Sequence, residues 1–257
     1  MPRFSANLSL LFTEVPLEER FAAAAAKGFK GVEIQFLYEF SAQKLRDAAD
    51  AANVEIMLFN FPAGNRAAGD IGIAALPGRD EEFRDGVRLA HSYHQVLKSK
   101  AINILAGKPP VDVSRDAAMD VLEQNIRYAL DVFANDEVML VLEPVNSVDH
   151  PNFLLQRTED AAEVIARIGA PNLMIQFDIY HRQIMQGNLM DALITFLPLI
   201  GHIQFADVPG RHQPNTGEIN FPAIFRLLDD IGYKGWVGAE YNPSTSTSDS
   251  FAWLRDL

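Results

Sequence analysis

The 257-residue sequence predicts an α/β protein folded as a closed parallel barrel, the (β/α)8 architecture. Three observations carry this. Eight strand-like runs alternate with helical runs along the whole chain, consistent with one domain spanning 1–257. No GxGxxG follows the first strand, as a doubly wound nucleotide-binding sheet would favour. Four successive strands in the second half, MLVLE, MIQFD, HIQF and WVGAE, each deliver a side chain of metal-ligand type at or near the carboxyl end: Glu143, Asp178, Gln204 and Glu240. That end is where α/β barrels place their chemistry.

In chain order, the strands are expected at 3–9, 31–36, 55–60, 101–107, 139–143, 173–178, 202–206 and 236–240. Helices fall between them at 16–27, 41–53, 80–98, 114–135, 158–168, 189–196 and 221–231, with a last one at 248–255. Pro16 and Glu18 suit a first turn, and Ser41 and Ser114 stand as N-caps. Glu159 and Asp160 favour a helix start through the dipole. Gly28, Gly169 and Gly232 follow helical runs, where a C-terminal cap needs a left-handed residue. The longest irregular stretches, 62–79 and 208–220, follow strands and so belong to the catalytic face, as lids.

Strand side chains alternate between faces. An inward Glu143 brings Val141 and Met139, Asp178 brings Gln176, Gln204 brings His202, and Glu240 brings Gly238. The same period groups Ser5 with Asn7, Glu33 with Gln35, and Leu58 with Asn60. The interior thus becomes polar toward one end. For Glu33, Gln176 and His202 a hydrogen-bonded core layer is sufficient reason. For the strand-end carboxylates it is not, because three like charges buried together need a cation or protons.

Composition narrows the partners. Hydrophobic residues make up 48%, enough for a sizeable core, and there is no cysteine, which excludes disulfides, thiolate zinc sites and iron–sulfur clusters. No stretch reads as a signal peptide or a membrane span, so a cytoplasmic location with no membrane partner is expected. A formal net charge of -12 disfavours nucleic acid. It also disfavours anionic substrates unless the site carries its own cations. Arg66, Lys108, His181 and Arg211 lie in the post-strand loops and are the candidates for substrate binding. Oligomeric state is left open, including a homo-oligomer. His91 and His94 are read as an exposed helical face rather than a metal site.

Oxygen-only ligands favour Mg2+ or Mn2+. Two glutamates flanking such a cation suit proton movement beside a carbonyl: the metal polarises the carbonyl and adjacent hydroxyl, one carboxylate takes a proton from carbon, and the other returns it to the neighbouring carbon. The intermediate is an enediolate, and the net reaction is an aldose–ketose isomerisation with no nucleotide cofactor.

At this point the chain resembles the hydroxypyruvate isomerase family, within the xylose-isomerase-like TIM barrels. RFSANLSLLFTEVP and PGRDEEFRDGV are similar to the family's opening and third-helix segment; LEPVN, IQFDIYH, HIQFADVPGRHQPNTGEIN and GWVGAEYNP carry the site. The resemblance implies metal ligation by Glu143, Asp178, Gln204 and Glu240, catalysis by Glu143 and Glu240, and substrate contacts from His181 and Arg211. It implies interconversion of hydroxypyruvate and tartronate semialdehyde (2-hydroxy-3-oxopropanoate), within carbohydrate and glyoxylate metabolism. The opening is similar to relatives that act on 2-oxo-tetronates, while LEPVNSVDHPNF and FDIYH resemble the hydroxypyruvate branch. A 2-oxo-tetronate isomerase or keto-sugar epimerase is therefore the alternative enzyme. Two other classes fit less well. A DNA-repair endonuclease would want several metal-bound histidines and a basic groove, and a non-catalytic sugar-acid binding protein has no use for two opposed glutamates.

Overall fold

The computed structural model describes residues 1–255 of the chain. Its eight strands are β1 (Arg3–Asn7), β2 (Gly31–Ile34), β3 (Glu55–Asn60), β4 (Ala101–Ile104), β5 (Met139–Leu142), β6 (Leu173–Asp178), β7 (Ile200–Phe205) and β8 (Trp236–Ala239). They pair in parallel and in sequence order, and β1 pairs with β8 to close the barrel. Outside lie α1 (Leu17–Ala26), α2 (Ala42–Ala52), α3 (Asp80–Leu97), α4 (Arg115–Val132), α5 (Thr158–Ile168), α6 (Ile179–Met185), α7 (Leu189–Phe196) and α8 (Phe221–Asp230). Among the described residues, no helix is long and apolar enough to cross a membrane.

The closing seam is aromatic. Phe4 of β1 and Phe205 of β7 pack edge-on against Phe225 of α8 and Trp253, with ring centroids 5.0–5.4 Å apart in four of these pairs. Offset and edge-on aromatic pairs add to their area burial, so this cluster fastens β1, β7, α8 and the last segment together.

Local signals held in part. Gly28, Gly169 and Gly232 take positive φ of 93°, 71° and 75° at helix ends, and Ser114 accepts from Ala117 N at 3.2 Å. Ser41 stands at its N-cap position, but its side chain makes no cap hydrogen bond. Residues 248–255 form part of a kinked 3-10 segment, Thr247–Arg255, rather than an α-helix. The expectation of an exposed face for both helix-α3 histidines needs correcting. His94 is buried, bonded to Ser99 Oγ at 3.0 Å and packed on Phe133, while His91 faces Asp136 at 3.0 Å.

Several strands stop short of the predicted ends because loops claim their polar groups. Gln35 N donates to Ser9 Oγ at 2.9 Å instead of to a strand partner. Beyond β4, the carbonyls of Leu105 and Ala106 accept from Ala74 and Ala75 at 3.3 and 2.9 Å. Stretch 62–79 is thus stapled to the β4 exit, and Arg79 pairs with Asp70 at 2.8 Å within it.

The interior divides along the strands. At the foot, Met57, Leu58, Ala101 and Val141 form an apolar cluster of their own, packed by Met139, Met174 and Trp236. Two neighbouring β3 residues can share this plug because the β2–β3 register skips Met57, pairing Val32 with Ile56 and Glu33 with Leu58. Above it sits the polar layer. Glu33 accepts from Ser5 Oγ at 2.5 Å and Gln204 Nε2 at 2.7 Å, and meets His202 Nε2 at 2.8 Å. A Cβ on Gly238 would stand 2.1 Å from Glu33 Oε1, so only glycine leaves that carboxylate its place.

Candidate active site

Each strand-end ligand arrives by the alternation of its strand. Glu143 follows β5, Asp178 ends β6, Gln204 lies near the end of β7 and Glu240 follows β8, and all four are buried. Asp178 does a second job. Its Oδ1 accepts from Tyr180 N at 2.7 Å and His181 N at 3.4 Å, capping α6, a short helix the sequence pattern did not reveal. That helix turns His181 back over the barrel mouth.

Burial and mutual repulsion dominate the electrostatics. Burial pushes the Glu143 carboxyl well above its ordinary value, reinforced by the charges of Glu240 and Asp178. Burial likewise raises Asp178 against the pull of Arg211. Glu240 is pushed up to about 7, by burial and then by Asp178 and Glu33, although Arg211 opposes this. Burial disfavours the charged form, and each neighbouring carboxylate adds to that cost.

Glu240 is the most heavily held of the three. Its Oε1 accepts from Gln35 Nε2 at 2.6 Å, Asn7 Nδ2 at 3.0 Å and Gln204 Nε2 at 3.2 Å. Its Oε2 takes a short hydrogen bond from Arg211 Nη2, which also faces Asp178 Oδ2 at 3.7 Å. Glu143 is held by Asn103 Nδ2 at 2.7 Å on its Oε2 and lines the adjoining cavity. Neither Asp207 nor Glu218, the acidic residues on Arg211's own loop, pairs with it. Asp207 binds backbone amides, and Glu218 binds Gln183 at 2.9 Å.

One oxygen of Glu143, one of Asp178 and a ring nitrogen of His181 lie within 4.8 Å of one another, a grouping that can hold a metal ion. The tautomer of His181 decides its part. Nδ1 accepts from Asn146 Nδ2 at 2.7 Å and Asn146 N at 3.3 Å. The Asn146 amide is itself oriented, since its Oδ1 accepts from Val148 N and Asp149 N while Nδ2 donates to Asp149 at 2.9 Å. Burial, then the nearby Arg211, pushes the His181 pKa well down. A neutral ring with an accepting Nδ1 carries its proton on Nε2, so His181 offers a donor at 3.6–3.8 Å from Asp178 and Glu143.

A cavity of about 230 Å³ opens beside these groups, lined by apolar Phe36, Ile71, Leu105, Val145 and Phe153 together with Glu143, Asp70, His181, Arg211, Arg66, Asn60 and His150. Of the four predicted substrate-binding cations, His181, Arg211 and Arg66 meet here, Arg66 with its guanidinium 4.0 Å above the Phe36 ring. Lys108 is not in the lining; its charge acts on His150 instead. Residues the sequence reading did not nominate include Asn103, Asn146 and His150. Asn103 was within reach, being in step with Ala101 on β4. The other two follow β5 in an irregular segment with no periodicity to read.

The barrel has counterparts among known proteins. The profile of the xylose isomerase-like TIM barrel family matches residues 21–257. The chain is 44% identical to hydroxypyruvate isomerase of Escherichia coli K12, covering 99% of this chain and 98% of that one. It is 42% identical to 2-oxo-tetronate isomerase of Cupriavidus necator, again over 99% and 98%. The chain belongs to this isomerase family. Its enzyme class is accordingly isomerase. Among solved structures, a Brucella melitensis protein described as an AP endonuclease of family 2 superposes with a TM-score of 0.97 at 39% identity, over 100% and 99% of the two chains. A 3-keto-D-glucoside 4-epimerase of E. coli, 21% identical with a TM-score of 0.81, shares the fold.

Proposed function

We propose that this isomerase interconverts hydroxypyruvate and tartronate semialdehyde, with Glu143 and Glu240 as the proton-transferring pair. The observation that carries the reading is the pairing itself: two buried glutamates with raised pKa values, on β-strand exits three strands apart, beside a small cavity that Arg66 and Arg211 help to line. A carboxylate whose pKa lies near neutrality both accepts and returns a proton at modest cost. In hydroxypyruvate one carboxylate removes a proton from the hydroxymethyl carbon. The other delivers one to the former carbonyl carbon, while the hydroxyl proton moves to the adjacent oxygen. Bonds and electrons balance with no redox partner.

The donor set fits a hard divalent cation, Mg2+ or Mn2+, because Glu143, Asp178 and Glu240 crowd three carboxylates into a buried site that their own repulsion opposes. We assign these three and Gln204 as its ligands. As it stands, Gln204 turns Nε2 toward Glu240 and Glu33, and a half-turn of the amide brings its oxygen to that side. His181, whose Nε2 is a donor, is assigned to a substrate oxygen instead. When bound, the cation supplies charge neutralisation and polarisation of the substrate's oxygens.

The substrate is assigned as a small hydroxy or oxo acid. The Arg211 guanidinium reaches Glu240 with one nitrogen, while its Nε is buried without a partner. Its remaining donors are available to a carboxylate in the cavity, with Arg66 beside it. An apolar wall and a cavity this size favour three- or four-carbon acids, so 2-oxo-tetronate is the close competitor. Nucleic acid is disfavoured by the net charge of -12. The deciding experiment is an NMR assay with each acid, with chelator and with added Mn2+, run in deuterium oxide. Turnover of hydroxypyruvate with metal supports the proposal. Turnover of the tetronate alone transfers it to the sister reaction, and no turnover of either refutes the substrate assignment.

A further inference from the structure

Asp207 has no part in the chemistry above, yet it is a fully buried carboxylate two residues beyond the end of β7. Its Oδ1 accepts from Val208 N at 2.9 Å and Ile219 N at 3.1 Å. Its Oδ2 accepts from Gly217 N at 2.8 Å and Thr216 N at 3.1 Å. One carboxylate thereby gathers both ends of the 208–220 loop, and Glu218 N closes onto Val208 O at 2.7 Å beside it. At the loop's centre is Arg211, held at a φ of 55°. A non-glycine residue keeps that left-handed conformation only where its surroundings determine it.

The centre of the loop is pinned as well. Asn242, two residues past Glu240, donates from its N to Arg211 O at 2.8 Å, and its carbonyl meets His212 Nδ1 at 2.7 Å. Gln213 exchanges two hydrogen bonds with Ser244, at 2.8 and 3.0 Å. The loop is therefore a fixed strap rather than the lid expected from its length, and its shape depends on the buried carboxylate.

We infer that Asp207 is a positioning residue for substrate binding: by gathering four backbone amides it sets the strap that aims the Arg211 guanidinium at the cavity. This rests on the reading of Arg211 as the group that binds the substrate carboxylate. Asn at this position keeps the size, but it replaces one acceptor oxygen with a donor that faces backbone N–H groups, so the strap opens where Arg211 depends on it.

The test is a cycle of wild type, Asp207→Asn, Arg211→Ala and the double variant. KM and kcat are measured with hydroxypyruvate, and the affinity for D-glycerate, an unreactive hydroxy acid, by calorimetry. Asp207→Asn should raise KM and weaken glycerate roughly 10-fold, a misaimed guanidinium being the cause, with kcat changed less than about 3-fold. The double variant should be no worse in KM than Arg211→Ala alone, since the two act through one contact. Should Asp207→Asn fail to fold, Gly217→Ala provides the second arm. A Cβ there meets Val208 O at 2.0 Å and Asp207 Oδ1 at 2.7 Å, forcing the same opening. An unchanged KM in the variant that folds, or effects that multiply in full, overturns the proposal. If Arg211→Ala itself leaves KM unchanged, the assignment of Arg211 falls first and this inference with it.

Discussion

At the foot of the barrel, Val141 on β5 belongs to an apolar plug that Met139 on β5, Met174 on β6 and Trp236 on β8 pack against; a few residues further along the same strands, Glu143, Asp178 and Glu240 fill the interior with charge. The plug is the kind of packing that stabilises a barrel without further help. The upper layer opposes folding, since each of its carboxylates is held with a pKa above its ordinary value. The difference separates what the fold needs from what the proposed chemistry needs, along single strands, and substitutions at the two levels should therefore fail in different ways.

The sharpest way to break this comparison is at the top. Glu143→Gln and Glu240→Gln keep the shape and lose the proton acceptor, so each should lower kcat by about 10²–10⁴-fold with the fold intact by circular dichroism. Either variant retaining more than about a tenth of wild-type turnover removes that residue from the proton path. At the foot the signature should invert. Leu58→Ala, at a site 1% exposed, should cost about 2–5 kcal/mol of unfolding free energy in a urea titration. Its KM and kcat should hold at temperatures where it stays folded, and a loss of turnover matching that of the glutamate variants would show that the two levels are not separable.

How much of this was legible beforehand follows the same division. The strand alternation and its ending on Glu, Asp, Gln and Glu could be read directly, because a period of two fixes which side chains share the interior. It also grouped Glu33 with Gln35 and Gln204 with His202. The α6 helix could not be read, because seven residues hold too few turns for a periodic signal and its start is set by Asp178 acting as a cap. The adjoining place of Met57 and Leu58 in the plug was hidden too, since a register shift between strands leaves no mark on either strand's own pattern. Nor does the length of the 208–220 loop disclose that it is pinned by Asp207 and Asn242 rather than mobile.

The cost carried by the upper layer can be measured through pH. Below about 4.5 the Glu240 carboxyl is protonated in folded and unfolded chains alike and contributes no difference. As pH rises toward 7, the unfolded chain ionises while the folded one holds its proton, so stability is lost across that window. For a shift from 4.5 to about 7 the loss is about 3 kcal/mol at most. Histidines with lowered pKa values, His181 among them, act with the opposite sign below their ordinary value, so the measurement should be differential. In chelator, Glu240→Gln should gain thermal stability relative to wild type as pH rises from 4.5 to 7. Adding Mn2+ should reverse the sign, since the cation stabilises the wild-type site and Gln weakens it. A wild type that loses nothing relative to the variant in chelator would mean that the layer is neutralised from within, by Arg211.

The smallest expected effect concerns Arg211, which sits where the two needs meet: one nitrogen offsets the charge of Glu240, and the residue also lines the cavity. Lysine at this position keeps a charge but loses the planar fork. Arg211→Lys should therefore raise KM for hydroxypyruvate clearly, and Arg211→Ala further, to about 10–100-fold, the worth of a charge-assisted hydrogen bond. Loss of the counter-charge alone would act on Glu240 and appear in kcat for any substrate. Loss of the carboxylate contact acts only on anions. A neutral analogue with the carboxylate replaced by hydroxymethyl separates the two: its KM should be nearly indifferent to Arg211→Ala. If neutral and anionic substrates suffer equally, Arg211 belongs wholly to the charged upper layer as the partner of Glu240 and has no part in reading the substrate.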